Sequence, residues 1–348
     1  MPHPVIEAAQ RFRAGLLARE RTNANALVRA YGRAYASMGD NISALEAEVR
    51  NLQDPDRATI TRLASLRSLQ RQAEAEINKY AVYADQQIVD SALAEIPLAL
   101  NDGRATVAAY FRSREALQAL QARWDMLPAA SVETMLGFVT ADSPLRDTLV
   151  NRLGPTVAQR MADRLVDQIA LGMNPKRIRE FVREEAGVGL TWSLTTARTA
   201  QLYSYREATR AGYVANRDIV SGWRWLAALD DRTCLSCWAQ HGSLHDVGDT
   251  LNGHHNCRCV QIPEIPLAKK LGIELPDPTP GEQIFDGLSE AQQRGHMGPA
   301  MFDAWKAGEF QFSELTKPYE DRVYGTMLRE ASLVGLLGDR AKKYYRNP

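Results

Sequence analysis

Apolar positions recur at intervals of three and four over most of the first 220 residues, the spacing of helices that bury one face. Ile42, Leu45, Val49 and Leu52 form one such stripe. It is interrupted at Asp54-Pro55, where Asp54 is predicted to close one helix and cap the next, because proline suits a first turn behind an Asp cap. The following stripe carries Leu63, Leu66, Ala73, Ile77, Tyr80 and Ala84 and is predicted to stop near Pro97. A third, from Arg104 to Trp124, carries Val107, Tyr110, Phe111, Leu117 and Leu120. A helix of forty or so residues is roughly 60 Å long. Residues 1–125 therefore read as either a bundle core or an extended arm that contacts a partner.

Residues 126–222 continue as shorter helices, separated by Pro128, Asp142-Ser143-Pro144, Gly154-Pro155 and Asn174-Pro175. Val157, Met161, Leu165, Ile169 and Leu171 mark one buried face, Ile178, Phe181 and Val182 the next, and Ser193 to Tyr213 a further helix. The period then changes. Trp223 to Leu229 alternates as a strand does, and Ser243 to Asp246 and Val260 to Ile262 are two more short strand candidates. Prolines 266, 276, 278 and 280 predict an extended, poorly paired linker, after which Phe285, Leu288, Met297, Met301, Phe302, Trp305 and Phe310 restore helix signals. Lys342, Lys343 and Arg346, with Tyr344 and Tyr345, form a basic-aromatic tip expected to fray.

Chemistry concentrates in the strand-rich stretch. Trp223 to Pro263 holds all four cysteines, Cys234, Cys237, Cys257 and Cys259, and four of the six histidines. A Cys-x2-Cys turn lets two thiolates reach one ion, and a second pair drawn from His254, Cys257 and Cys259 would complete a tetrahedron. His255 ranks behind His254. Zinc suits thiolate with imidazole, and a closed four-ligand site has no need of redox chemistry. The competing reading is two disulfides or four buried thiols; disulfides would require an oxidising compartment. Trp223, Trp225 and Trp238 are expected to pack this thin module onto the preceding helices, with metal binding supplying stability that so small a core lacks. The fold class expected is mainly α. Long N-terminal helices (1–125) and a helical bundle (126–222) precede a small zinc-knuckle α+β module (223–264, with helix 193–213 packed on it), a Pro-rich linker (265–281) and a helical C-terminal tail (282–348).

The run Trp225, Ala228, Asp230 or Asp231, Arg232, Thr233, Cys234, Cys237, Gly242, then His254, Asn256, Cys257, Arg258, Cys259 and Pro263, resembles the phage Mu F-like head morphogenesis family of minor head proteins. That family's H-P-N-C-R-C stands here as H-H-N-C-R-C. Its A-R-T-E stands as Ala197-Arg198-Thr199-Ala200, so a role resting on that carboxylate is absent, and Arg198 is expected to pair with Asp230 or Asp231. Gly298 to Phe310, G-P-x-M-F-D-A-W-K-A-G-E-F, resembles the family's segment after the knuckle. The likeness covers about residues 190 to 315. It implies a structural minor capsid protein of a tailed phage or prophage. Such a protein acts near the portal inside the procapsid, with portal protein and major capsid or scaffold protein as partners, and packaged DNA as a further one. Its location would be the virion interior, and the host cytoplasm during assembly.

Charge and motif content bear on the alternatives. Lys plus Arg equals Asp plus Glu at 42 each, so net charge advertises no polyphosphate partner. The motif window is slightly acidic, with Arg224, Arg232 and Arg258 against Asp230, Asp231, Asp246, Asp249 and Glu264. Charges interrupt every apolar run near the N-terminus, which does not read as a signal peptide, and no stretch approaches the roughly eighteen apolar residues of a membrane span. No histidine is followed two residues later by Glu, as a zinc deaminase requires. His-Glu-x-x-His, a Walker loop and a strand-linked G-x-G-x-x-G are missing too. A zinc-dependent nucleic-acid-binding or nuclease protein is the alternative, resting on His254-His255-Asn256 beside the cysteines.

Overall fold

A computed structural model describes residues 3–140, 143–266, 268 and 278–345. Asp142 of the predicted turn, Pro276 and Asp277 of the predicted linker and Arg346 of the predicted tip lie outside these. The chain is 69% helix and 8% strand, the mainly α class expected. It divides into two compact units, each assembled from separate stretches. One comprises 18–93 and 137–201, the other 1–17, 94–136 and 202–348. Residues 1–125 thus contribute to both.

In chain order the first helices are α1 (Pro4–Ser37), α2 (Gly39–Arg50), α3 (Arg57–Thr61) and α4 (Ala64–Ala108). Next come α5 (Arg114–Arg123), α6 (Ala129–Glu133), α7 (Pro144–Arg146), α8 (Leu153–Ala170) and α9 (Ile178–Ala215). Strand β1 (Gly222–Leu226), helix α10 (Leu235–Gln240) and strands β2 (Leu244–Asp246) and β3 (Val260–Glu264) follow. The C-terminal region holds α11 (Gly281–Asp286), α12 (Glu290–Met297), α13 (Pro299–Lys306), β4 (Thr316–Asp321), β5 (Gly325–Glu330) and α14 (Leu333–Leu337).

The unit of 18–93 and 137–201 is a helical bundle. Met38, Ile42, Leu45 and Val49 meet Leu63, Leu66, Leu69 and Ala73, with Met161, Leu165, Ile169, Ile178 and Val182 closing the core. Three details differ from the sequence reading. Asp56, not Asp54, caps the helix after the interruption, accepting Thr59 N–H at 2.7 Å, while Asp54 turns the chain at φ +46°. Leu171 falls one residue past the end of α8 and is 81% exposed, so the buried stripe ends at Ile169. Arg198 pairs with the buried Glu20 at 2.8 Å and not with Asp230 or Asp231, because a carboxylate of its own bundle lies within reach.

Helix α4 also runs through Pro97 instead of stopping there. The missing N–H costs about 3 kcal/mol in a helix interior. The apolar stripe continues on both sides, however, with Ile88, Ala92, Ile96, Ala99 and Leu100 all buried, and that packing outweighs the cost. The predicted helix from Arg104 to Trp124 is accordingly divided. Its first part belongs to α4, and α5 restarts behind a Ser113 cap that accepts Ala116 N–H at 3.1 Å.

In the other unit, β1 is the centre of a three-stranded antiparallel sheet of order β2-β1-β3. Trp223 faces His245 on one side and Pro263 on the other, and Leu226 faces Val260. Because side chains alternate along a strand, the sheet has two apolar faces. Leu226, Val260 and Ile262 pack with Val5, Val107, Tyr110 and Tyr213. Trp223 and Trp225 pack instead with Leu251, Cys237, Cys257 and Cys259. Trp238 joins neither group: its ring meets Phe285 edge-on at 5.4 Å in the helices that follow the knuckle, not those that precede it. The described end of the Pro-rich segment is closely packed, with Gly281 N–H donating to the His241 carbonyl at 3.0 Å. The tail contains helices, as expected, and also a hairpin, β4 with β5, that the apolar pattern did not suggest.

Candidate metal centre

The first ligand turn is built by a polar loop after β1. Asp230 N–H donates to Thr233 Oγ1 at 2.9 Å, and Thr233 N–H returns to the Asp230 carbonyl at 2.8 Å. This loop delivers Cys234 to the N-cap of α10, where its sulfur accepts Cys237 N–H at 3.3 Å. One helical turn separates the two cysteines, so both sulfurs face the same side.

The second turn is tighter. Cys257 N–H closes onto the His254 carbonyl at 3.0 Å, with Asn256 in the left-handed region at φ +62°. Gly253 precedes it for want of space: a Cβ there would stand 2.5 Å from Cys257 Sγ. His254 Nδ1–H donates to the His255 carbonyl at 2.6 Å, which aims Nε2 at the sulfurs. That Nε2 lies 2.9 Å from Cys234 Sγ and 3.3 Å from Cys237 Sγ. Cys237 Sγ is in turn 3.7 Å from Cys257 Sγ.

All five expected ligands therefore gather, in two overlapping groups that share Cys237. Cys234, Cys237 and His254 form one and Cys237, Cys257 and Cys259 the other, with ligand atoms inside each group within 4.8 Å of one another. Such a cluster can hold a metal ion. The fit is quantitative at one edge: two thiolates at a Zn–S length of about 2.3 Å in a tetrahedron stand about 3.8 Å apart, against 3.7 Å for Cys237 and Cys257. The cluster lines a half-open cavity of about 10 Å³, bordered also by Ala228, Arg232, Thr233, Asn256 and Arg258. That is the space of roughly one water-sized sphere. The cysteines are unbridged.

Burial and mutual contact perturb the cluster's ionisable groups in both directions. Hydrogen bonding from Cys237 and the neighbouring His254 bring the Cys234 thiol down to about 6 against the opposing effect of burial. Burial pulls the His254 imidazole down, but the Cys234 hydrogen bond and the Cys257 and Cys234 charges outweigh it and raise it to about 9. Hydrogen bonds from Cys237 and Cys259, and then the Arg206 charge, hold Cys257 well below the ordinary thiol range. Hydrogen bonds to its three cysteine neighbours push Cys237 up, and burial pushes Cys259 up. The guanidiniums of Arg13 and Arg258 add positive charge near Cys259.

Other groups brace the two turns. Arg258 forms a two-pronged pair with Asp230, both bonds 2.6 Å, tying the second turn to the first and holding the Asp230 carboxyl at about 2. The hairpin reaches both turns: Glu330 Oε1 accepts Leu235 N–H at 2.6 Å, and Leu328 N–H donates to the Asn252 carbonyl at 2.7 Å. His255 Nε2 lies 3.1 Å from Asp321 Oδ2 at the hairpin's turn, so His255 is a brace and His254 the ligand candidate. Arg206 was missed from sequence. It comes from α9, and its partners are the main-chain carbonyls of Cys257 and Cys259, 51 and 53 residues on.

The remaining histidines of the window are used elsewhere. His245 stacks on Trp223 at 4.2 Å, and His241 Nδ1 accepts Ala227 N–H at 3.0 Å. His296, the one histidine after the second turn, sits edge-on to Trp238 at 5.6 Å. Among the described residues no helix is long and apolar enough to cross a membrane. A scan of protein-family models, a search of curated proteins and a search of solved structures each return no match to this chain.

Proposed function

We propose that residues 223–264 hold one zinc ion as a structural staple, and that the chain is a minor head protein of a tailed phage or prophage, of the Mu F-like kind. In this reading it acts in head morphogenesis, near the portal inside the procapsid, with portal protein and major capsid or scaffold protein as partners. The observation that carries the staple is the number of ligands. Five candidates gather, one more than a tetrahedral ion needs, whereas a catalytic zinc has three protein ligands and keeps one position open to water or substrate. When bound, zinc would supply cross-linking between the two turns. The chain's own groups do the rest: His255 fixes the His254 tautomer, Asp230 and Arg258 join the turns, and the hairpin covers them.

The head-assembly reading is supported by the knuckle residues and by the absence of a recognised catalytic motif in the sequence. Two measurements test it. Metal analysis of the purified chain is expected to give about one zinc per molecule. Co-expression with the portal and capsid proteins of its own operon is expected to recover portal protein on a tagged chain. Recovery of nucleic acid alone, or plasmid nicking in Mg2+ or Mn2+ that is lost in His254→Ala, would replace this reading with the nucleic-acid one.

A further inference from the structure

Arg206 is 4% exposed, and its long side chain reaches the backbone of the second ligand turn. Nε–H donates to the Cys259 carbonyl at 2.9 Å, and Nη2–H donates to the Cys257 carbonyl. Nη1 and the Cys257 sulfur both border Gly253, whose added Cβ would meet them at 3.3 and 2.5 Å. A guanidinium carries its donors in a rigid planar fork, so two carbonyls bound by one fork are fixed in spacing and direction. Those carbonyls belong to two of the candidate ligands, and fixing them sets where each Cα–Cβ bond points. We infer that Arg206 is a positioning residue that pre-sets Cys257 and Cys259 for the ion before loading. The inference rests on the metal reading above. It adds that the second turn owes its ligand geometry to a helix distant in sequence.

The test compares the full-length chain with Arg206→Gln, Arg206→Lys and Ile262→Ala, using Zn2+ as the probe in competition with a chromophoric chelator. Ile262 is wholly buried in β3 and faces away from the cysteines, so its truncation lowers stability without touching the fork. Loss of a group that orients metal ligands typically weakens binding about 10–100-fold, and this is the drop expected for Arg206→Gln. Arg206→Lys keeps the charge but not the fork, and is expected to fall with Arg206→Gln. Ile262→Ala is expected to melt earlier yet bind Zn2+ as the unsubstituted chain does. The visible spectrum of the Co2+-loaded chain is expected to change in the two Arg206 variants alone. Unchanged affinity in Arg206→Gln, full recovery by Arg206→Lys, or an equal loss in Ile262→Ala would each overturn the inference while leaving the zinc reading standing. Failure of the unsubstituted chain to bind Zn2+ would overturn both.

Discussion

At the residue scale the centre turns on Cys237, the one sulfur common to both ligand groups. Four Cys and one His compete for four places, so the ligands are not equivalent. Cys237→Ser is expected to abolish stoichiometric zinc, whereas Cys259→Ser leaves Cys234, Cys237, His254 and Cys257 and is expected to retain it at reduced affinity; metal analysis after dialysis separates the two. A second expectation concerns His241, which burial and then the Arg13 charge hold down at about 4. Its unfolded value is 6.5, so the unfolded chain binds the proton that the folded chain refuses. The stability contribution is full above about pH 6.5 and is lost as pH falls toward 4, on the order of 3 kcal/mol in all. Urea midpoints between pH 4 and 7 are expected to fall less steeply for His241→Asn than for the unsubstituted chain. That variant keeps an acceptor for Ala227 N–H and loses the titration. That the five candidate side chains would gather was legible because cysteine and histidine declare their chemistry by type and spacing. Arg206 was not, because nothing local distinguishes it from the other arginines on the helices; only folding brings it to Cys257 and Cys259.

Among the elements, the hairpin β4–β5 carries little sequence signal yet reaches both ligand turns. Its burial is sparse, with Met327 and the turn's Tyr324 its buried side chains and Thr316 to Asp321 polar apart from Pro318 and Tyr319, so apolar periodicity had little to register. The signal it does carry is turn chemistry: Asp321 accepts Val323 and Tyr324 N–H at 2.8 and 3.1 Å, and Gly325 takes φ +71°. The three strands of the module were legible from alternation, although β1 ends at Leu226, short of Leu229, where the loop to Cys234 begins. The continuation of α4 past Pro97 was not, since proline is read locally and its tolerance is decided by packing. Glu330→Ala removes the acceptor of Leu235 N–H at the first knuckle. Loss of such a cap costs about 1 kcal/mol, and zinc release to excess chelator is expected to quicken while overall helicity is unchanged.

For the molecule as a whole, the candidate metal site lies entirely within one of the two compact units. Chelation is therefore expected to act unevenly. Near-ultraviolet circular dichroism from Trp223 and Trp225, which pack on the cysteines, should collapse. Far-ultraviolet helix signal should decline little, because the bundle core of Met38, Ile42, Leu45, Met161 and Leu165 contains no ligand. Loss of both signals together would show the units to be one cooperative structure. Glu330 and Asp321 complete the braces around thiols first laid down at Cys234, nearly a hundred positions earlier. A growing polypeptide thus places its four sulfurs well before the strands that lock their turns, and product truncated before Thr316 would emerge with those turns unbraced.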